Sequence, residues 1–140
     1  MPKADMIRFG TTFRISQLLD TVTWFGRGPH ETMLDRKHGA PVGIHSMKAD
    51  ELVHHYVRPQ ENGYRTDVRQ VSFVNEQGLG LRFSAPLEQP KNKTQYIGFG
   101  AQRFDVMEYE QFEKRGLHPH ELNRTDKVFI NIDYKQRGVA

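Results

Sequence analysis

Lys127-Val128-Phe129-Ile130-Asn131-Ile132-Asp133-Tyr134 decides the fold class of this chain. Val128, Ile130 and Ile132 fall on one side of an extended backbone, and Phe129, Asn131 and Asp133 on the other. A period of two in β-branched and aromatic side chains is the pattern of a strand with a buried face. Asp133 stands opposite the isoleucines. If that face is also covered, its carboxylate needs a partner such as an arginine.

The same period recurs upstream. Strands are expected over residues 6–15, 22–25, 42–47, 68–74, 79–85 and 96–104. Gly98 and Gly100 interrupt the last of these and mark a bulge or a close backbone approach. Residues 26–31, with two glycines and a proline, are expected to be irregular, and residues 32–40 form a helical turn or a folded loop. Pro86–Asn92 reads as a mobile loop. Val106, Tyr109 and Phe112 recur at three-residue steps, which predicts one short helix near Glu108–Lys114, closed by Gly116. The sum is an all-β fold: an antiparallel β-sandwich with one short helix.

Composition agrees. A chain of 140 residues is expected to form one domain, residues 1–140. Nine Phe, five Tyr and one Trp put much of the apolar mass into aromatics, which suits sheets better than helix bundles. The net charge of +3 is small and its basic residues are scattered, which argues against a nucleic-acid surface. With no cysteine there is no disulfide frame and no thiolate metal site. No apolar run reaches the ~20 residues of a membrane helix. The first residues lack the apolar core of a signal peptide. A soluble protein is expected, in the cytoplasm, or in the periplasm if a parent chain carries a signal.

The richest stretch chemically is Tyr56-Val57-Arg58-Pro59-Gln60-Glu61-Asn62-Gly63-Tyr64-Arg65-Thr66-Asp67-Val68-Arg69. Its two ends alternate like strands. Its middle cannot, because Pro59 lacks an N–H and Gly63 is free to take positive φ. Arg58, Arg65, Arg69, Glu61 and Asp67 crowd this turn. Two readings follow: an ion-pair clasp between strands, or a polar wall of a sugar site. The clasp comprises Arg27, Asp35, Arg58, Glu61, Arg65, Asp67 and Arg69. Arg27 is expected to bond carbonyls or Asp35 and so hold its loop. Gly63 should sit where alanine is strained.

Several blocks occur together in order: Trp24-Phe25-Gly26-Arg27-Gly28-Pro29-His30-Glu31, Asp35-Arg36, Tyr56 to Gly63, Asp67-Val68-Arg69, His120-Glu121-Leu122 and Asn131-Ile132-Asp133. Their joint spacing resembles the C-terminal domain, or small chain, of the glycoside hydrolase family 2 β-galactosidases. The resemblance implies a galactose-mutarotase-like supersandwich, here partial and similar to the second half of that domain. It implies that the tryptophan lining the active site, the catalytic carboxylates and the metal ligands lie elsewhere in the parent protein. No cofactor is then expected in this chain. A catalytic barrel domain or large subunit is its expected partner. Open sheets of a partial supersandwich also point to self-association.

No residue is assigned a catalytic role. Glu61 and Asp67 could approach, but neighbouring arginines would keep both ionised, which is wrong for the acid of a retaining glycosidase. Glu61 with His118 or His120 could mimic the base and acid of a mutarotase. That gives a second function reading, a stand-alone carbohydrate-binding or mutarotase-like module. Its candidate galactoside ligands are Arg58, Glu61, Asn62, Arg65, Arg69, His118 and His120, with Trp24, Tyr56 and Tyr64 as stacking surfaces. His118 and His120 lack a third metal ligand, and Arg124 stands where a zinc-protease helix would carry its second histidine. No metal site is expected.

Overall fold

The computed structural model describes residues 6, 8–56, 62–88, 91, 95–105 and 123–136. They form β1 (Arg8–Ser16), β2 (Thr21–Arg27), β3 (Val42–Lys48), β4 (Arg65–Val68), β5 (Gln70–Val74), β6 (Gly80–Ser84), β7 (Ile97–Gln102) and β8 (Lys127–Gln136). Two four-stranded antiparallel sheets result, ordered β1-β8-β7-β4 and β3-β2-β5-β6. The expected β-sandwich is what the chain forms.

The inward faces are the alternating apolar sets read from the sequence. Val22 and Trp24 of β2 and Val71 and Phe73 of β5 face Phe99 of β7 and Val128, Ile130 and Ile132 of β8. Aromatic edges lock the sheets together. The Phe99 ring lies 5.7 Å from Trp24 and 6.2 Å from Phe73, both edge-on. The Trp24 indole N–H donates to the Arg27 carbonyl, so burying the ring strands no polar atom.

Residues 68–74 are not one strand. Val68 ends β4 in the first sheet, and Gln70 begins β5 in the second. Asp67 has φ 53°, a left-handed conformation that turns the chain out of one ladder and into the other. Arg69 then joins the second sheet, donating its N–H to the Phe25 carbonyl and accepting from Ala85 N–H. Gly26 permits the crossing, because a Cβ there would lie 2.9 Å from the Val68 Cα. This glycine belongs to β2, which runs on to Arg27 rather than breaking at residue 26.

Residues 53–56 are not a strand either. A 3-10 turn at Ala49–Leu52 precedes them, with the Lys48 N–H donating to the Glu51 carboxylate. The sequence reading missed this turn. Residues 32–40 form a folded loop, in which Met33 and Arg36 exchange backbone hydrogen bonds. The expected helix at Glu108–Lys114 lies outside the described residues. Among the described residues, no helix is long and apolar enough to cross a membrane.

Candidate functional site

Arg65 anchors the described half of the charged stretch. It stands at the start of β4, and only 2% of it is exposed. Its guanidinium donates to three carbonyls, those of Gly63 at 2.7 Å, Pro29 at 2.7 Å and Leu52 at 3.3 Å. It also lies over the Trp24 ring. Burial pushes it down to about 10, opposed by the nearby Glu31 carboxylate, so it remains charged at neutral pH. Among the described residues its hydrogen-bond partners are carbonyls, where the sequence suggested carboxylates. The three carbonyls belong to three separate loop segments.

Glu31, which sequence reading quoted but did not single out, is the acidic hub. One carboxylate oxygen accepts from the Tyr56 hydroxyl and from Arg36, the other from the Gly63 N–H at 2.8 Å. Burial works to raise its pKa. The Tyr56, Gly63 and Arg36 contacts outweigh that and hold it below 4.5. Gly63 has φ 71°, and a Cβ there would lie 2.5 Å from the Leu52 carbonyl oxygen. Gly63→Ala should therefore cost about 1–3 kcal/mol, read from a urea midpoint. An unchanged midpoint would show that the turn relaxes freely. Asn62 closes the same turn by accepting the His54 N–H at 3.1 Å.

Asp67 gathers two cations, the Arg27 Nε at 2.7 Å and the Lys37 ammonium at 3.0 Å. Arg27 also donates to the Lys37 and Ala40 carbonyls. It holds its loop as expected, with Asp67 rather than Asp35 as the carboxylate. Asp35 instead lines an open cavity of about 570 Å³ with His30, Arg36, His38 and Tyr56. Arg69 donates to the Asp67 carbonyl at 2.6 Å and lies over the Phe25 and Tyr96 rings. Arg58, Glu61, His118 and His120 lie outside the described residues.

A second cluster sits on the other face of β8. Asp133 is 3% exposed, accepts from the Tyr64 hydroxyl at 2.8 Å and pairs with the Arg8 Nε at 2.7 Å. The arginine that its burial demands is therefore Arg8. Tyr64 lies flat on β7, where Gly98 and Gly100 leave room for its ring. The two glycines thus admit a side chain rather than another backbone. Trp24 and Tyr64 are fully buried and offer no face to a sugar. Tyr56 is half-buried, its hydroxyl held by Glu31 and its ring edge-on to His54 at 4.4 Å. Among the described residues, no group of three His, Asp or Glu side chains is placed to hold a metal ion.

The electrostatics set a pH signature. For Asp67, burial raises the pKa, and hydrogen bonds from Arg27 and Lys37 overcome it to hold the group below 3.8. A carboxylate with a lowered folded pKa stabilises fully above its unfolded value and loses that contribution as pH falls through the folded one. Glu31→Gln should cost about 1–3 kcal/mol at pH 7. The gap to the wild type should close as pH drops below 4.5, which denaturant melts across pH would read. A gap independent of pH would mean that shape, not charge, is what Glu31 supplies.

A two-sheet sandwich with a committed charge cluster at its β2–β4 crossing is the frame on which the sequence comparisons fall. The chain belongs to the β-galactosidase small chain family, whose model matches residues 1–140. It is 35% identical over its full length to a β-galactosidase of Priestia megaterium, and 32% identical over 95% of its length to one of an Arthrobacter species. A Vibrio cholerae β-galactosidase is 33% identical over 95% of the chain. The chain spans 12% of the length of the first two relatives and 11% of the third.

Proposed function

We propose that this chain is a non-catalytic β-sandwich part of a β-galactosidase, holding its place beside a larger catalytic part that cleaves terminal β-D-galactosides. The observation that carries this reading is the state of the two half-buried carboxylates of the loop cluster. Glu31 and Asp67 are each paired with cations and held below their ordinary pKa. A glycosidase general acid needs the opposite shift. Arg65 and Arg69 are likewise engaged by carbonyls and rings, so the cluster shapes loops instead of meeting substrate. The family membership supports a role inside such an enzyme, and the small share of the relatives' length leaves room for a separate catalytic part. Metal ions are expected on that part, in the cytoplasm. The stand-alone carbohydrate-binding reading is not favoured, since the chain matches a small segment of longer enzymes and two of its three aromatic candidates are buried.

The chain alone should not turn over a chromogenic β-galactoside. Added to the P. megaterium enzyme lacking its matching segment, it should raise activity. Hydrolysis by the chain alone would overturn the reading.

A further inference from the structure

Strand β3 is the last strand of its sheet, and among the described residues it pairs with β2 alone. Two backbone bonds fix the phase of that pairing. The Gly28 N–H donates to the Pro41 carbonyl, and the Ala49 N–H to the Asp20 carbonyl. In the register that joins Arg27 to Val42 and Thr21 to Lys48, residues 43, 45 and 47 then bond β2, while residues 42, 44, 46 and 48 turn their N–H and C=O groups outward. The Lys48 N–H is taken by the Glu51 carboxylate. Those of Val42, Ile44 and Ser46 meet no partner among the described residues.

Open edges are usually guarded by lysine, proline or inward charge. Residues 42–46 carry none of these. Pro41 stands before the free stretch, and Lys48 after it has its ammonium held by Asp20 and Thr21. The β4 edge differs, because the folded loop covers it through the Thr32 N–H to Tyr64 carbonyl bond. The side chains beside the β3 edge are apolar. Ile44 is 78% exposed, and Val42 and the cross-strand Phe25, on the same face, are 43% and 42% exposed.

We propose that β3 pairs antiparallel with β3 of a second copy of this chain, about a two-fold axis at Ile44, joining two four-stranded sheets edge to edge. This does not depend on the functional reading above. A second copy is the occupant because the edge is complementary to itself. With Ile44 on the axis, Val42 stands opposite Ser46 of the other copy, so the outward residues meet as hydrogen-bonded pairs, each exchanging two bonds. His45 meets Gly43, which has no side chain to obstruct it, and Lys48 meets Ala40 rather than a second lysine. The antiparallel approach also brings the basic loop before β3, with Arg36, Lys37 and His38, toward the acidic turn after it, with Asp50 and Glu51. The exposed Ile44, Val42 and Phe25 of both copies form one apolar strip across the join.

Sedimentation equilibrium and residue-resolved hydrogen exchange over a range of chain concentrations test this. A dimer should form, and the amides of Val42, Ile44 and Ser46 should become protected as it does. The amides of Gly43, His45 and Met47 should be protected at every concentration, since β2 already holds them. Ile44→Pro removes an N–H that points away from β2, so it should keep the urea midpoint of the monomer and abolish the dimer. Ile44→Lys, at a site too exposed to unfold the chain, should weaken association about tenfold or more. Leu79→Lys, at the exposed turn before β6, should leave it unchanged. The inference is overturned if the chain stays monomeric, if the alternate amides of β3 exchange at a rate independent of concentration, or if a dimer forms that survives Ile44→Pro or Ile44→Lys and is lost in Leu79→Lys.

Discussion

Arg65→Met should lower the unfolding free energy by about 3–5 kcal/mol, with little change in the denaturant slope. Methionine fills much of the same volume and removes the cost of burying a charge. It cannot donate, so the carbonyls of Pro29, Leu52 and Gly63 lose their common partner. A buried acceptor left without a donor costs ~1–3 kcal/mol, and three are affected together. Arg65→Lys should recover little, because an ammonium cannot span three diverging carbonyls and stack on Trp24 as well. Hydrogen exchange should rise at residues 29–33 and 62–64, since Arg65 ties these loops to each other. A loss under about 1 kcal/mol would mean that water replaces the guanidinium, and that the loops hold without it.

Gly98→Ala is the second large effect. A Cβ at this position would stand 1.9 Å from the Tyr64 hydroxyl and 2.5 Å from its Cζ. The buried ring has to leave its seat on β7, and Asp133 then loses the hydroxyl that donates to it. Overpacking costs ~1–3 kcal/mol and a lost buried hydrogen bond a similar amount, so about 3–5 kcal/mol is expected. Tyr64→Phe, which removes the hydroxyl alone, should cost about 1–2 kcal/mol. A double-mutant cycle separates the causes. In a Tyr64→Leu background, Gly98→Ala should be nearly neutral, because the atoms it strikes are gone. If Gly98→Ala costs as much in both backgrounds, the glycine serves the backbone of β7 and not the ring.

Much of the fold is legible without coordinates because alternation is a local property. Val128, Ile130 and Ile132 announce their strand within six residues, and all three line the core. The need of Asp133 for a partner is also readable, since a buried carboxylate is costly wherever it occurs. Gly63 shows itself by its place after Pro59 and Asn62. Other features leave no such trace. The break at Asp67 looks like the middle of a strand, since one aspartate between Thr66 and Val68, with no Gly or Pro beside it, is a weak turn signal against the alternation around it. Its left-handed φ is sustained by contacts of the folded molecule, with Arg27 and Lys37 on its carboxylate. Glu31 resembles any acid in a polar loop until Tyr56, Gly63 and Arg36 close around it. A glutamate just after Gly28-Pro29, itself next to strand β2, is a signal that could have drawn attention to it.

The sequence by itself determined that most of the strands exist, which face of the clearest of them is apolar, and where the chain turns through Gly63. Those properties depend on neighbours two or three positions away, and the backbone expresses them locally. Only the tertiary structure decided which sheet each strand joins and which groups each ion meets. Arg27 finds Asp67 forty positions away, Arg65 finds the Pro29 carbonyl thirty-six away, and Tyr64 finds Asp133 sixty-nine away. An arginine or a carboxylate can satisfy itself with many partners of similar energy. The choice among them is made by which loops the packed aromatic core brings within hydrogen-bond reach.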